Sequence, residues 1–157
     1  MHYDVKIRNA KLIDATKIAE IINYYAKDGI MLPRTENYII ERIRDFIVAD
    51  IDNNVVGCCA LAFFTLKLAE IRSLAVLKEY QGQGIGKMLV MKAEEILIEE
   101  GVKNVFALTL NPDFFISLGY KIVEKTNFPQ KIWKDCLSCY KIMKCDEVAV
   151  EKELNKI

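Results

Sequence analysis

Net charge, long apolar runs and histidine are what this chain has little of. Its 22 Lys and Arg residues balance 22 Asp and Glu, so no bulk charge draws it to nucleic acid or to an anionic membrane. No apolar run reaches the roughly twenty residues needed to span a bilayer, and the opening Met1-His2-Tyr3-Asp4 does not read as a signal peptide. These two absences predict a cytoplasmic protein. Internal repeats, low-complexity tracts and linkers are missing as well. What remains, 157 residues of 52% hydrophobic content, is enough for one core in a single domain. That domain is expected over 1–145, with 146–157 as a charged tail dispensable to the core.

Apolar periodicity switches repeatedly between two and 3.6 residues along the chain. Val5 and Ile7 predict a first strand, and Ile18, Ile21, Ile22 and Tyr25 make one face of a helix that Asp14 is placed to cap. After Gly29 and Pro33, a second helix is expected from Thr35, carrying Tyr38, Ile39 and Ile43 inward. Phe46 to Ala49 reads as a strand, Asp52-Asn53-Asn54 as a turn and Val55 to Thr65 as the hairpin partner. Leu68 to Val76 is a third strand. A helix over Lys87 to Glu100 stops at Gly101, and Val105 to Leu110 forms a further strand.

Between the third strand and that helix lies Gln81-Gly82-Gln83-Gly84-Ile85-Gly86. Strand, glycine turn and helix build an anion cradle, because glycine lets the chain turn sharply and present N–H groups where the helix dipole is positive. That geometry suits a pyrophosphate. Two common phosphate loops are excluded, since neither Gly-Lys-Ser/Thr nor Gly-x-Gly-x-x-Gly occurs here. A glycine turn without any ligand is the remaining alternative from the loop alone.

The spacing Gln-x-x-Gly-x-Gly resembles the acetyl-CoA signature of the GNAT superfamily of N-acetyltransferases. Order and spacing agree around it: the strand Glu70-Ile71-Arg72-Ser73-Leu74-Ala75-Val76 precedes the loop, and Phe114-Phe115-Ile116-Ser117-Leu118-Gly119-Tyr120 resembles the family's Phe-Tyr-x-x-Leu-Gly-Phe. Leu32-Pro33-Arg34-Thr35, the Val55-to-Leu61 strand and the Lys131-to-Cys136 segment narrow the likeness to the acetyltransferase domain of short, stand-alone N-acetylglutamate synthases, enzymes of arginine biosynthesis. The resemblance implies an α/β fold with a mixed, mostly antiparallel sheet, splayed at the central strand and flanked by helices on both faces. It also implies acetyl-CoA as donor and a small-molecule amine as acceptor, glutamate first. Another small amine or a protein N-terminus is the alternative acceptor, and a non-catalytic acyl-CoA- or metal-binding module is the alternative from a different class. A homodimer is left open. The amino-acid-kinase-like domain of longer synthases has no counterpart in these residues, so arginine feedback through such a domain is not assumed and is left open.

The same resemblance supplies site residues. Glu70 is expected as the base that takes the ammonium proton, directly or through a water, and strand alternation puts Glu70, Arg72 and Leu74 on one face. Backbone N–H groups around Leu74 are expected to stabilise the oxyanion, and Leu74, Ala75 and Val76 to pair with the pantetheine arm. Gln81, Gly82, Gln83, Gly84, Ile85, Gly86 and Lys87 complete the cofactor site with Asn111 and Phe115. Phe115 stands where relatives commonly place a Tyr general acid, so that role is vacant; Tyr120 and Ser117 remain as donors or as packing residues. Arg34 and Arg72 are expected to bind acceptor carboxylates, for which a guanidinium offers a planar fork; surface ion pairing is the alternative for each. Lys131 and Lys134 are weaker candidates. Cys136, Cys139 and Cys145 have metal-like spacing at their first step, but a fourth ligand would have to come from Asp146, from Cys58 and Cys59 or from another chain, so ordinary reduced cysteines and no metal are expected. Cys58 and Cys59, in a strand, read as structural.

Overall fold

The computed structural model describes residues 4–128 and 147–154. Seven strands form one sheet in the order β1-β2-β3-β4-β5-β7-β6. The strands are β1 (Val5–Asn9), β2 (Phe46–Ile51), β3 (Asn54–Phe63), β4 (Leu68–Val76), β5 (Asn104–Thr109), β6 (Lys121–Val123) and β7 (Val148–Glu153). Every neighbouring pair is antiparallel except β4 with β5. Among the described residues four α-helices accompany them: α1 (Ala15–Ala26), α2 (Glu36–Glu41), α3 (Ile85–Glu99) and α4 (Pro112–Ile116).

The sheet is covered on both sides, as expected. Ile18 and Ile22 of α1 and Ile39 of α2 pack on Phe46, Val48, Cys58 and Ala60. Leu89, Ala93 and Leu97 of α3 pack on the opposite face against Ile47, Ala49, Cys59, Leu61 and Ile71. Side chains that alternate between two covered faces explain why all six residues of β2 are buried. The β2–β3 hairpin turns at Asp52 and Asn53, both left-handed at φ 52° and 69°, which is the backbone that matches strand twist in a two-residue turn. Thr35 caps α2 by accepting from the Tyr38 N–H at 3.0 Å.

Asp14 precedes α1 but does not cap it through its side chain. Its carboxylate instead accepts from Arg8 at 2.8 and 3.1 Å and from the Lys11 N–H at 2.7 Å. Arg8 also donates to Asp50. A carboxylate already engaged by a guanidinium and by the Lys11 N–H makes no side-chain bond to the first turn of α1.

The expectation of a dispensable tail also needs correction. Val148–Glu153 is not peripheral: β7 lies between β5 and β6 and pairs with both, with Ala149 and Val150 buried. Its charged residues mask a strand, and one of them works internally. Lys152 bonds Glu94 of α3 at 3.0 Å and the Leu118 carbonyl at 2.9 Å.

Candidate active site

The parallel strands β4 and β5 pair only from Leu68 to Glu70 against Asn104 to Phe106. Beyond that point β5 continues with β7, and β4 stays with β3. The gap between them opens a cavity of about 720 Å³, lined by β4 from Glu70 to Val76, by the end of β5 and by the glycine loop. A strand edge without its neighbour offers backbone donors and acceptors to an extended ligand.

A bulge in β4 shapes this edge. Cys58 opposes Ala75 while Ala60 opposes Arg72, so β4 carries one residue more than β3 across this stretch, and Ser73 takes a left-handed φ of 55°. An extra residue reverses side-chain parity. Ile71, Leu74 and Val76 therefore pack with the α3-side core, while Ala75 packs with the α1-side core. Leu74 does not share a face with Glu70 and Arg72, contrary to the simple alternation. The Cys58 thiol lies under the bulge, 3.4 Å from the Ser73 carbonyl, and burial pushes its pKa up to about 12.

Glu70 is 2% exposed, and Arg72 holds it: Nε and Nη2 of Arg72 donate to the same carboxylate oxygen at 3.0 and 2.7 Å. Nη1 of Arg72 donates to the Tyr38 hydroxyl at 3.3 Å. Arg34 lines the same cavity with its guanidinium 4.4 Å from the Tyr38 ring centre. Its backbone is fixed from α1, where Asn23 donates to the Arg34 carbonyl at 2.6 Å and accepts from the Arg34 N–H at 3.0 Å.

The glycine loop enters α3 at Gly84, with φ of 84° there and 79° at Gly82. A Cβ on either would meet no protein atom within 4 Å, so these residues are small for backbone conformation and not for packing. Gly86 differs: its Cβ would come 3.3 Å from the Phe114 ring. The bare turn at the start of a 15-residue helix, with Lys87 beside it on the cavity wall, fits a pyrophosphate group. The Gln81 amide donates to the Val76 carbonyl and the Tyr25 hydroxyl, each at 3.0 Å. Tyr25 donates to that carbonyl at 2.6 Å, and its phenol pKa is raised, by burial first and by neighbouring Tyr24 second.

Glu70, Arg72, Leu74, Ala75, Val76, Arg34, Gln81, Gly82, Gly84, Ile85, Gly86, Lys87, Asn111 and Phe115 all line the cavity, and Gln83 does not. Phe115 is buried, edge-on to Phe114 and Tyr120. Tyr120 donates to Glu94 at 2.8 Å and Ser117 to the Phe114 carbonyl at 2.6 Å; neither lines the cavity. Lys131, Lys134, Cys136, Cys139 and Cys145 lie outside the described residues. The sequence reading missed Asn23, Tyr38, Lys125 and Glu147, the last two on the cavity wall. Tyr25 and Tyr38 carry a helical signal that reads as core, and nothing local marks a phenol that reaches a distant strand.

Residues 14–120 match the model of the acetyltransferase (GNAT) family. An N-acetyltransferase of Chlorobaculum tepidum, named as uncharacterised, is 59% identical over 151 residues, covering 96% of this chain and 97% of its own length. An amino-acid acetyltransferase of Mycobacterium tuberculosis is 30% identical over 139 residues, covering 87% and 79%. Among solved structures, N-acetylglutamate synthase from Neisseria gonorrhoeae complexed with coenzyme A and N-acetyl-glutamate superimposes with a TM-score of 0.88 at 26% identity, over 99% of this chain but 36% of that one. A Mycobacterium tuberculosis protein in complex with CoA gives 0.84 at 26% identity, over 96% and 99%. No helix among the described residues is long and apolar enough to cross a membrane.

Proposed function

Because the chain belongs to the acetyltransferase (GNAT) family and takes acetyl-CoA as donor, we propose that its acceptor is the α-amine of an acidic amino acid, glutamate first, as in arginine biosynthesis. The observation that carries this reading is the lining of one cavity by Arg34, Arg72 and a buried Glu70. Guanidinium groups recognise carboxylates by paired hydrogen bonds. The relatives named above as amino-acid acetyltransferase and N-acetylglutamate synthase support the same acceptor class.

When bound, acetyl-CoA supplies an activated acetyl group as a thioester. The residues that would hold it are the bare turn from Gly82 to Lys87, at the phosphates, and the edge of β4 at Leu74 to Val76 that β5 does not cover. Phe114 and Phe115 give that groove apolar walls. Glu70 removes the ammonium proton, directly or through a water, with Arg72 fixing the orientation of its carboxylate. The Leu74 N–H, just past the bulge, is the donor proposed to meet developing negative charge on oxygen. Arg34 and Arg72 hold the acceptor's carboxylates and so bring its amine to the splay.

A panel of glutamate, aspartate, alanine, glutamine and lysine, followed by free-thiol release, tests the proposal. Glutamate should give the highest kcat/KM. Equal values for the uncharged amino acids would replace the acidic acceptor by a general small amine.

A further inference from the structure

We infer that Tyr38 is the positioning residue of the acceptor end, holding Arg34 by its ring and Arg72 by its hydroxyl; the inference rests on the acidic-acceptor reading above. Three guanidiniums meet at this one side chain. Arg34 and Arg42 lie 4.4 and 3.9 Å from the ring centre, and Arg72 donates to the hydroxyl at 3.3 Å. Cations repel one another at such range, and the negative face of an aromatic ring offsets part of that repulsion. Tyr38 is itself anchored. Its N–H caps on Thr35 at 3.0 Å, its carbonyl accepts from Arg42 at 3.4 Å, and buried Ile39 pins α2 to the sheet.

Arginine is a long side chain with much rotamer freedom, and a carboxylate that has to immobilise it binds more weakly. The Tyr38 ring on Arg34, and the Tyr38 hydroxyl together with the two Glu70 bonds on Arg72, remove that freedom before the acceptor arrives. The two arginines reach the cavity from different elements, Arg34 from the loop before α2 and Arg72 from β4, and Tyr38 touches both. Its effect therefore falls on the acidic acceptor. An acceptor with a single carboxylate is affected less, and the cofactor groove, which Tyr38 does not line, is left alone.

Tyr38→Phe keeps the ring and loses the hydroxyl; Tyr38→Leu loses both. The KM for glutamate should rise about two- to fivefold in the first variant and roughly tenfold or more in the second. KM for alanine, with one carboxylate, should rise less than KM for glutamate, with two, and KM for acetyl-CoA should stay near the parent. Without acetyl-CoA, the glutamate-induced rise in melting temperature should shrink in the same order. A parental glutamate KM in folded Tyr38→Leu overturns the inference, as does a glutamate effect matched by equal changes in acetyl-CoA KM and melting temperature. Should Tyr38→Leu not fold, Tyr38→Phe decides by the same two comparisons. A parent that does not prefer glutamate to alanine overturns the acidic-acceptor reading and this inference with it. A preference that is intact in the parent and in both variants sinks this inference alone.

Discussion

Replacing Glu70 by Gln separates what the carboxylate does for chemistry from what it does for the fold. In the structure one carboxylate oxygen accepts two bonds from Arg72, at 3.0 and 2.7 Å, and the side chains are 2% and 12% exposed. Complete loss of one partner of such a buried pair costs about 3–5 kcal/mol, because the other charge stays desolvated. The Gln amide oxygen still accepts from Arg72, so the expected loss is smaller, about 1.5–3 kcal/mol for bonds to a charged group. In a chain of this size that lowers the melting temperature by roughly 3–12 °C. The chemical loss is separate. A general base contributes about 10²–10⁴-fold, so kcat measured well below the variant's melting temperature should fall by that factor while acetyl-CoA affinity persists. The deficit should narrow as the pH rises towards the acceptor amine's own pKa, where less of the amine needs a base. Calorimetry, acetyl-CoA titration and a pH–rate profile on one preparation measure all three. Parental kcat at neutral pH in a destabilised Glu70→Gln would show that the carboxylate only anchors Arg72, and would move the base to a water held by backbone carbonyls.

Other perturbations test separate parts of the structure. Gly84→Ala places a side chain at φ of 84° with no atom to strike, so stability should drop by only about 1–2 kcal/mol; acetyl-CoA affinity should fall by more than stability, and equal losses would take the loop out of cofactor binding. Asp14 has its pKa lowered: burial, the largest influence, raises it, but the Arg8 and Lys11 hydrogen bonds with their charges outweigh burial. A lowered folded pKa stabilises above the ordinary carboxylate range and loses that contribution as pH falls through the folded value. Asp14→Asn should therefore be less stable than the parent at pH 7 and approach it below about pH 3.9, where urea melts would show the curves converging. In a variant with Cys136, Cys139 and Cys145 changed to Ser, Cys58 and Cys59 should react with a thiol reagent only after denaturation, because burial raises both thiols. Labelling of the native variant would refute their burial.

Local features were legible in the residues themselves. The limits of β4, Leu68 to Val76, agree with the pattern because a buried strand is written in consecutive side chains. The Gly84 turn and α3 were equally readable, since only glycine takes φ of 84° at no cost and the helix repeats its apolar face every 3.6 residues. Thr35 likewise announced α2, because a cap bonds within three residues. From such local signals, and the likeness they carry, came the fold class and a set of expected base, cofactor and acceptor residues of which all but Gln83 line the cavity.

What the chain does over long separations was decided only by tertiary structure. The Ser73 bulge arises where β4 stays registered with β3 while parting from β5, and one inserted residue turned Leu74 to the face opposite Glu70. Asp14 exchanged a cap for Arg8, a partner brought in by β1. The strand at Val148–Glu153 was hidden because its charges dominate composition, whereas its membership of the sheet depends on two partners, β5 and β6. Tyr25 and Tyr38 looked like core residues because periodicity reports which face a side chain takes but not what its hydroxyl reaches. Tyr25 ends on Val76, 51 residues away, and Tyr38 on Arg72, 34 away. Spacing along the chain encodes the backbone's local repeat; the pairing of charges and hydroxyls across the splay exists only once the sheet has closed around it.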